Sequence, residues 1–136
     1  MRLKFIEPLM PTLVEKPPEG EGWTHEVKFD GYRSQMAIDE DGTRIYTCNG
    51  HDWTAKYGDL VREAKRLGAE SAIVDGEIVV LNDKGLSDFT ALRRAITRRQ
   101  HDLYFVAFDL LHLKLRERPV HHRYARAVTE LYAQNT

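Results

Sequence analysis

Apolar and polar positions alternate along much of this chain, and the alternation predicts strands. From Trp23 to Asp30, Val27 and Phe29 fall on one face of a period-2 pattern and Glu26, Lys28 and Asp30 on the other. Arg33 to Ile38 continues the pattern beyond Gly31. Asp39-Glu40-Asp41-Gly42 then reads as a hairpin turn, its Asp-Gly pair supplying positive φ. Thr43 to Thr47, rich in β-branched residues and tyrosine, returns as the partner strand. Ala72 to Leu81 is an apolar strand region ending in the Asn82-Asp83-Lys84-Gly85 turn, and Leu103 to Leu110 is another.

Helical spacing occurs in three places. Asp59 is placed to cap a helix reaching about Leu67, with Leu60, Ala64 and Leu67 on its stripe and Gly68 as its stop. Ser87 is placed to cap a second helix with the stripe Phe89, Leu92 and Ile96. Pro119 suits the first turn of a third, whose buried side is Tyr124, Ala127, Val128 and Leu131. Residues 1–22 hold four of the five prolines and read as an extended lead-in. The fold expected is α+β, an antiparallel-rich sheet with helices packed on it.

At 136 residues the chain builds one domain with a sizeable core. No apolar run approaches the ~20 residues of a bilayer span, so no membrane partner is expected. The N-terminus lacks the apolar stretch of a signal peptide, and the one cysteine, Cys48, excludes a disulfide framework or a Cys-cluster zinc site. A reducing, cytoplasmic setting follows. Residues 87–136 hold nine Lys/Arg against five Asp/Glu, although the net charge of the whole chain is −1. Arg93, Arg94, Arg98 and Arg99 are therefore candidate contacts for the phosphates of a nucleic acid. Solvated helix arginines are the plain alternative.

The candidate chemistry lies in three segments in order: Lys28-Phe29-Asp30-Gly31-Tyr32-Arg33, then Asp75-Gly76-Glu77, then Phe105-Val106-Ala107-Phe108-Asp109-Leu110-Leu111. Tyr46 to Thr54 lies between the first two. A lysine between carboxylates is ordinarily a surface ion pair. Attack by its amine requires deprotonation from a reference pKa of ~10.4. Glu77, inside an apolar strand, is costly unless something pairs it. In strand alternation Tyr104, Val106 and Phe108 share one face, with Phe105, Ala107 and Asp109 on the other, and either set suits a core. The six histidines show no metal-ligand spacing.

This ordered set resembles the adenylation domain of ATP-dependent DNA ligases, closest to the bacterial ligase D type of non-homologous end joining. The lead-in Pro8-Leu9-Met10-Pro11-Thr12-Leu13 and the segment Asn49-Gly50-His51-Asp52-Trp53-Thr54 share the likeness, which runs from about Phe5 to Arg118. The resemblance implies a partial ATP-grasp-like nucleotidyltransferase domain over residues 23–136, behind the lead-in 1–22, without an OB-fold domain. It implies that Lys28 attacks the α-phosphate of ATP to form lysyl-AMP for sealing nicked double-stranded DNA. It assigns ATP contacts to Glu26 at the adenine edge, Arg33 at the sugar, Glu77 at the ribose and Phe108 as the stacking aromatic. Magnesium is the metal it implies, near Glu77, since hard carboxylate and phosphate oxygens suit that ion. Asp75 is expected to be structural, holding a nearby turn or backbone group.

Two departures from the pattern shape the expectation. Cys48 stands where the family has an arginine that contacts phosphate or sugar, and a thiol cannot supply its bidentate bonds. It reads as a small buried residue. The Glu-Gly-x-x-x-Lys and Lys-x-Lys segments that support the attack in the family do not occur after Leu111, so a truncated form is expected. A second polypeptide supplying the missing half, or a catalytically deficient remnant that binds nucleotide or DNA or acts as a partner subunit, is the alternative to a working ligase.

Overall fold

The computed structural model describes residues 1–25 and 28–115. Four strands, β1 (Tyr32–Asp39), β2 (Gly42–Thr47), β3 (Ala69–Val79) and β4 (Tyr104–Leu115), form one sheet in the order β2-β1-β3-β4. All three pairings are antiparallel. Two helices, α1 (Gly58–Ala64) and α2 (Phe89–Arg98), and three 3-10 turns make up the rest of the regular structure among the described residues. The α+β, antiparallel expectation holds. The third expected helix, from Pro119 through Leu131, lies outside the described residues.

Period-2 alternation gives the sheet two faces of different character. One carries Met36, Ile38, Ile45, Val74 and Ile78, which join Leu60 and Ala64 of α1 and Leu92 and Ala95 of α2 in the apolar core. Ile45, Ile78 and Leu92 are fully buried, and each such side chain contributes about 1.5–3 kcal/mol. The other face carries Arg33, Gln35 and Asp39 of β1 beside Asp75 and Glu77 of β3, paired Arg33 to Glu77 and Gln35 to Asp75.

The lead-in has no regular structure, but side chains of this second face tie it down. Gln35 accepts from Ile6 N at 2.9 Å and donates to Ile6 O at 2.8 Å, substituting for a missing strand neighbour. Asp39 accepts from Leu3 N at 2.8 Å and from Arg44 Nη2 at 2.6 Å, while Arg44 also donates to Leu3 O. Burial alone would raise the Asp39 pKa, but these bonds and that from Asp41 N outweigh it and hold the carboxyl low. Phe5 packs on Tyr46 with ring centroids 5.6 Å apart.

Several boundaries differ from the sequence expectation. Of the expected Trp23–Asp30 strand, the described residues 23–25 and 28–30 are irregular. The register explains this: Tyr32 already pairs with Ile78, one residue from the end of β3, and β2 reaches only Ser34. Beyond Val79 the backbone is engaged elsewhere: Asp88 N donates to Val80 O, and Leu81 bridges Ser87. The hairpin forms at Asp39-Gly42, yet only Gly42 has positive φ, and Asp41 does not. Asp59 lies inside α1 and pairs with Arg62 instead of capping it. Helical structure already begins at Thr54, where Asp52 accepts from both the amide and the hydroxyl of that residue. Asp88, not Ser87, caps α2 by accepting from Ala91 N at 2.9 Å. The β4 strand runs on to Leu115, beyond the expected end at Leu110, because β3 begins at Ala69 and offers it partners that far.

Candidate functional site

The segment that opens the first motif places its residues in three directions. Lys28 is exposed in the irregular stretch ahead of β1. Gly31 lies so close to β3 that a Cβ there would stand 2.1 Å from Ile78 O, which only glycine permits. Tyr32 turns into the core side, where it meets Trp53 and Phe89 edge-on at 6.1 and 5.3 Å. Arg33 turns to the opposite face. Trp53 belongs to that aromatic group and to Lys56, whose Nζ lies 4.0 Å over its ring.

Arg33 is the organising cation of this face. Its Nη2 lies 2.9 Å from Asp75 Oδ2 and its Nε 3.4 Å from Oδ1, a two-point pairing across β1 and β3. Its Nη1 donates to Leu9 O at 2.7 Å, so the lead-in also reaches this point. Its Cζ stands 5.5 Å from the ring centroid of Phe108, a cation–π distance. Asp75, expected to hold a turn or backbone group, instead anchors Arg33. The missed signal was its spacing: two residues from Glu77 on one strand, it had to share that face.

Phe108 shares this face with Val106 by alternation, and the ladder breaks at it. Gly76 pairs with Ala107 and Asp75 with Asp109, leaving Phe108 as the additional residue of a β-bulge. Val106, opposite Glu77, and Tyr104 share the site face, while Phe105 and Ala107 pack against the core. Asp109 is carried back to the site side by the bulge, opposite Asp75, contrary to simple alternation.

Glu77 is the most perturbed carboxyl in this group. Its Oε2 is buried with no hydrogen-bond partner. Burial pushes its pKa up to about 7; Arg33 opposes the rise, Asp75 and Asp30 add to it, and Lys28 opposes it weakly. Lys28, Asp30, Arg33, Asp75 and Glu77 therefore lie within electrostatic reach of one another. A buried oxygen of this kind is an open acceptor for a hydroxyl or a cation.

The other sequence candidates fall elsewhere. Arg93, Arg94 and Arg98 are exposed on α2 and Arg99 follows it, on the helical side of the sheet and away from Arg33 and Glu77. They form no ion pair among the described residues. Glu26 lies outside the described residues. Cys48, expected to be buried, is half-exposed in the turn closed by Gly50 N to Thr47 O at 2.9 Å, because β2 has already ended at Thr47. No group of three His, Cys, Asp or Glu that could hold a metal occurs among the described residues. With Asp75 engaged by Arg33, Glu77 is the carboxylate on this face whose buried oxygen has no partner among the described residues. That fits a magnesium ion held by one carboxylate plus phosphate and water, and does not fit a dedicated protein cage.

Comparison with known proteins bears on this arrangement. The family profile described as "ATP dependent DNA ligase domain" matches residues 9–132. The multifunctional non-homologous end joining protein LigD of Pseudomonas aeruginosa is 42% identical over 108 residues, covering 79% of this chain and 13% of that protein. The bifunctional non-homologous end joining protein LigD of Bacillus subtilis is 32% identical over 118 residues, covering 76% of this chain and 19% of that protein. The solved ligase domain of M. tuberculosis LigD superposes with a TM-score of 0.57 at 30% identity, covering 80% of this chain and 36% of that one. A mycobacterial DNA ligase D complexed with ATP and MES gives 0.56 at 32% identity, covering 82% and 36%. The chain thus spans a minor part of each relative's length. No helix among the described residues is long and apolar enough to cross a membrane.

Proposed function

Because the chain belongs to the ATP dependent DNA ligase domain family, we propose that it carries the adenylation step of DNA nick sealing in repair. Lys28 Nζ, after losing a proton, attacks the α-phosphate of ATP. A P–N bond forms, the bond from that phosphorus to the bridging oxygen breaks, and pyrophosphate leaves. Phe108 stacks on adenine, Arg33 contacts the sugar, Glu77 accepts from the ribose or holds magnesium, and Glu26 reads the adenine edge. Magnesium, when bound, neutralises charge on the phosphates. The nicked duplex is the acceptor, with Arg93, Arg94, Arg98 and Arg99 on its phosphates, in a cytoplasmic setting.

One observation carries this reading: Arg33 from β1, Glu77 from β3 and the bulged Phe108 from β4 converge on one sheet face within electrostatic reach of Lys28. A surface ion pair would need none of them. The experiment is incubation with α-labelled ATP and magnesium, followed by measurement of label retained on denatured protein. Retention that disappears in Lys28→Ala supports the proposal, and absence of retention removes it for this chain.

A second reading draws on Cys48. Its half-exposed thiol offers no phosphate contact where the family has arginine, which favours a protein that binds nucleotide or DNA as a partner subunit without turnover. Binding of a non-hydrolysable ATP analogue without retained label would select it.

A further inference from the structure

The Ser87 hydroxyl is released from helix capping by Asp88, and it has another use. It accepts a hydrogen bond from Asp30 N at 2.8 Å, across 57 residues of sequence. Asp30 is two residues beyond Lys28 and immediately precedes Gly31. We propose that Ser87 is the positioning residue of the Lys28 loop, fixing the Asp30 amide so that the amine is presented in one place. This rests on the reading of Lys28 as the nucleophile.

The physical need comes from the missing strand. Residues 28–30 belong to no ladder, so the sheet does not hold Lys28. Beyond it, Gly31 is wedged against Ile78 O. Without a second anchor the backbone could still pivot about that contact. The Asp30–Ser87 bond supplies that anchor.

Ser87 is itself held firmly enough to serve. It forms an isolated bridge with Leu81, and Asp88 N donates to Val80 O at 2.8 Å. Within the preceding turn, Asn82 N donates to Leu86 O at 2.8 Å, and Asn82 Oδ1 accepts from Lys84 N and Leu86 N at 2.9 and 3.0 Å. That turn continues directly from β3, the strand bearing Glu77. The bond therefore couples the loop of the nucleophile to the strand of the carboxylate, and fixes their separation. Small misplacements of a reacting group are costly in rate without changing ground-state binding.

The test compares the unmodified protein with Ser87→Ala and Ser87→Thr, the latter keeping a hydroxyl. Three quantities are measured: hydrogen exchange at the Asp30 amide, affinity for a non-hydrolysable ATP analogue, and the rate of label retention at saturating ATP. In Ser87→Ala, exchange at Asp30 should quicken about tenfold while Met36 and Ile38 in β1 are unchanged. The labelling rate should fall by about tenfold with analogue affinity retained, and Ser87→Thr should restore both. Unchanged exchange, an unchanged rate, loss of affinity in proportion to rate, or failure of threonine to rescue would each overturn the assignment. If the unmodified protein retains no label, the reading of Lys28 fails first and takes this role with it. Faster exchange at Asp30 would then report a purely structural bond.

Discussion

Replacing Glu77 with glutamine should make the protein more stable at mildly alkaline pH while abolishing adenylation. The buried Oε2 has no partner to lose, and the amide keeps the volume of the carboxylate. Burial, opposed by Arg33, raises the folded-state pKa from 4.5 to about 7. Between those values the folded protein binds more protons than the unfolded chain, so stability falls as pH rises through the window. Above about 7 the whole cost of an ionised Glu77 is present. Each tenfold change in proton affinity corresponds to about 1.4 kcal/mol, giving a ceiling of roughly 3.4 kcal/mol. The side chain is only half-buried, and solvent screening reduces this to about 1–2 kcal/mol.

Thermal unfolding of both proteins from pH 4.5 to 8, without nucleotide and with a chelator present, measures the effect. The melting temperatures should coincide near pH 4.5 and separate by roughly 3–8 °C at pH 8, with Glu77→Gln the higher. Equal melting at every pH would show that Glu77 is not desolvated in solution. A less stable variant at pH 8 would show that its carboxylate is paired, and would remove the argument for an open acceptor oxygen.

Other consequences follow from the same geometry. Asp75→Ala leaves Arg33 without its two-point partner and should cost about 2 kcal/mol in urea unfolding, less than a fully buried pair because Leu9 O and Phe108 still engage the guanidinium. Asp39→Asn removes the charge that pairs Arg44 and leaves one acceptor oxygen for the bonds from Leu3 N, Arg44 and Asp41 N, and should cost about 2–3 kcal/mol at neutral pH. Because the folded pKa of Asp39 is lowered, that difference should be present above the unfolded pKa and vanish as pH falls through the folded one. Phe108→Ala should weaken binding of an ATP analogue by about three- to tenfold, measured calorimetrically, with little change in melting temperature. Changing Arg93, Arg94, Arg98 and Arg99 together to glutamine should flatten the salt dependence of nicked-duplex binding, and an unchanged slope would return them to solvated-surface status.

The parts of this fold written locally were legible in the sequence. The Asp39–Gly42 hairpin, the strand through Glu77 and the Leu92 face of α2 follow from turn residues and periodicity. Family likeness brought Arg33, Glu77 and Phe108 together as candidates, and the structure gathers all three on one face. What was not legible depends on partners remote in sequence. The alternation from Trp23 to Asp30 is genuine, but a strand needs a neighbour, and β3 ends before reaching it. Ser87 and Asp88 are both good caps by residue type, and only the path of the chain after Val80 decides between them. The Arg33–Asp75 pairing is diagonal across two strands, so it depends on a register that no local pattern encodes. The bulge at Phe108 likewise leaves no local mark, although it returns Asp109 to the site face.

The two faces of the sheet serve opposite ends. The helical face gains stability from Ile45, Ile78 and Leu92 and contributes no polar group to the candidate site. The opposite face gives some of that stability back by burying charge along β1 and β3, where aliphatic residues would pack more favourably. Within it, the polar groups fall into two sorts. Gln35, Asp39 and Asp75 are engaged, with the lead-in, Arg44 and Arg33 respectively. Glu77 retains an unengaged oxygen and Lys28 is exposed beyond the sheet, so both remain available to a ligand. A second cation beside Glu77 would relieve its strain and leave a more stable protein, but it would close the oxygen that a ribose or a metal needs. A buried acceptor left open beside the engaged Asp75 and Arg33 is therefore what sets Glu77 apart from an ordinary ion-pair network.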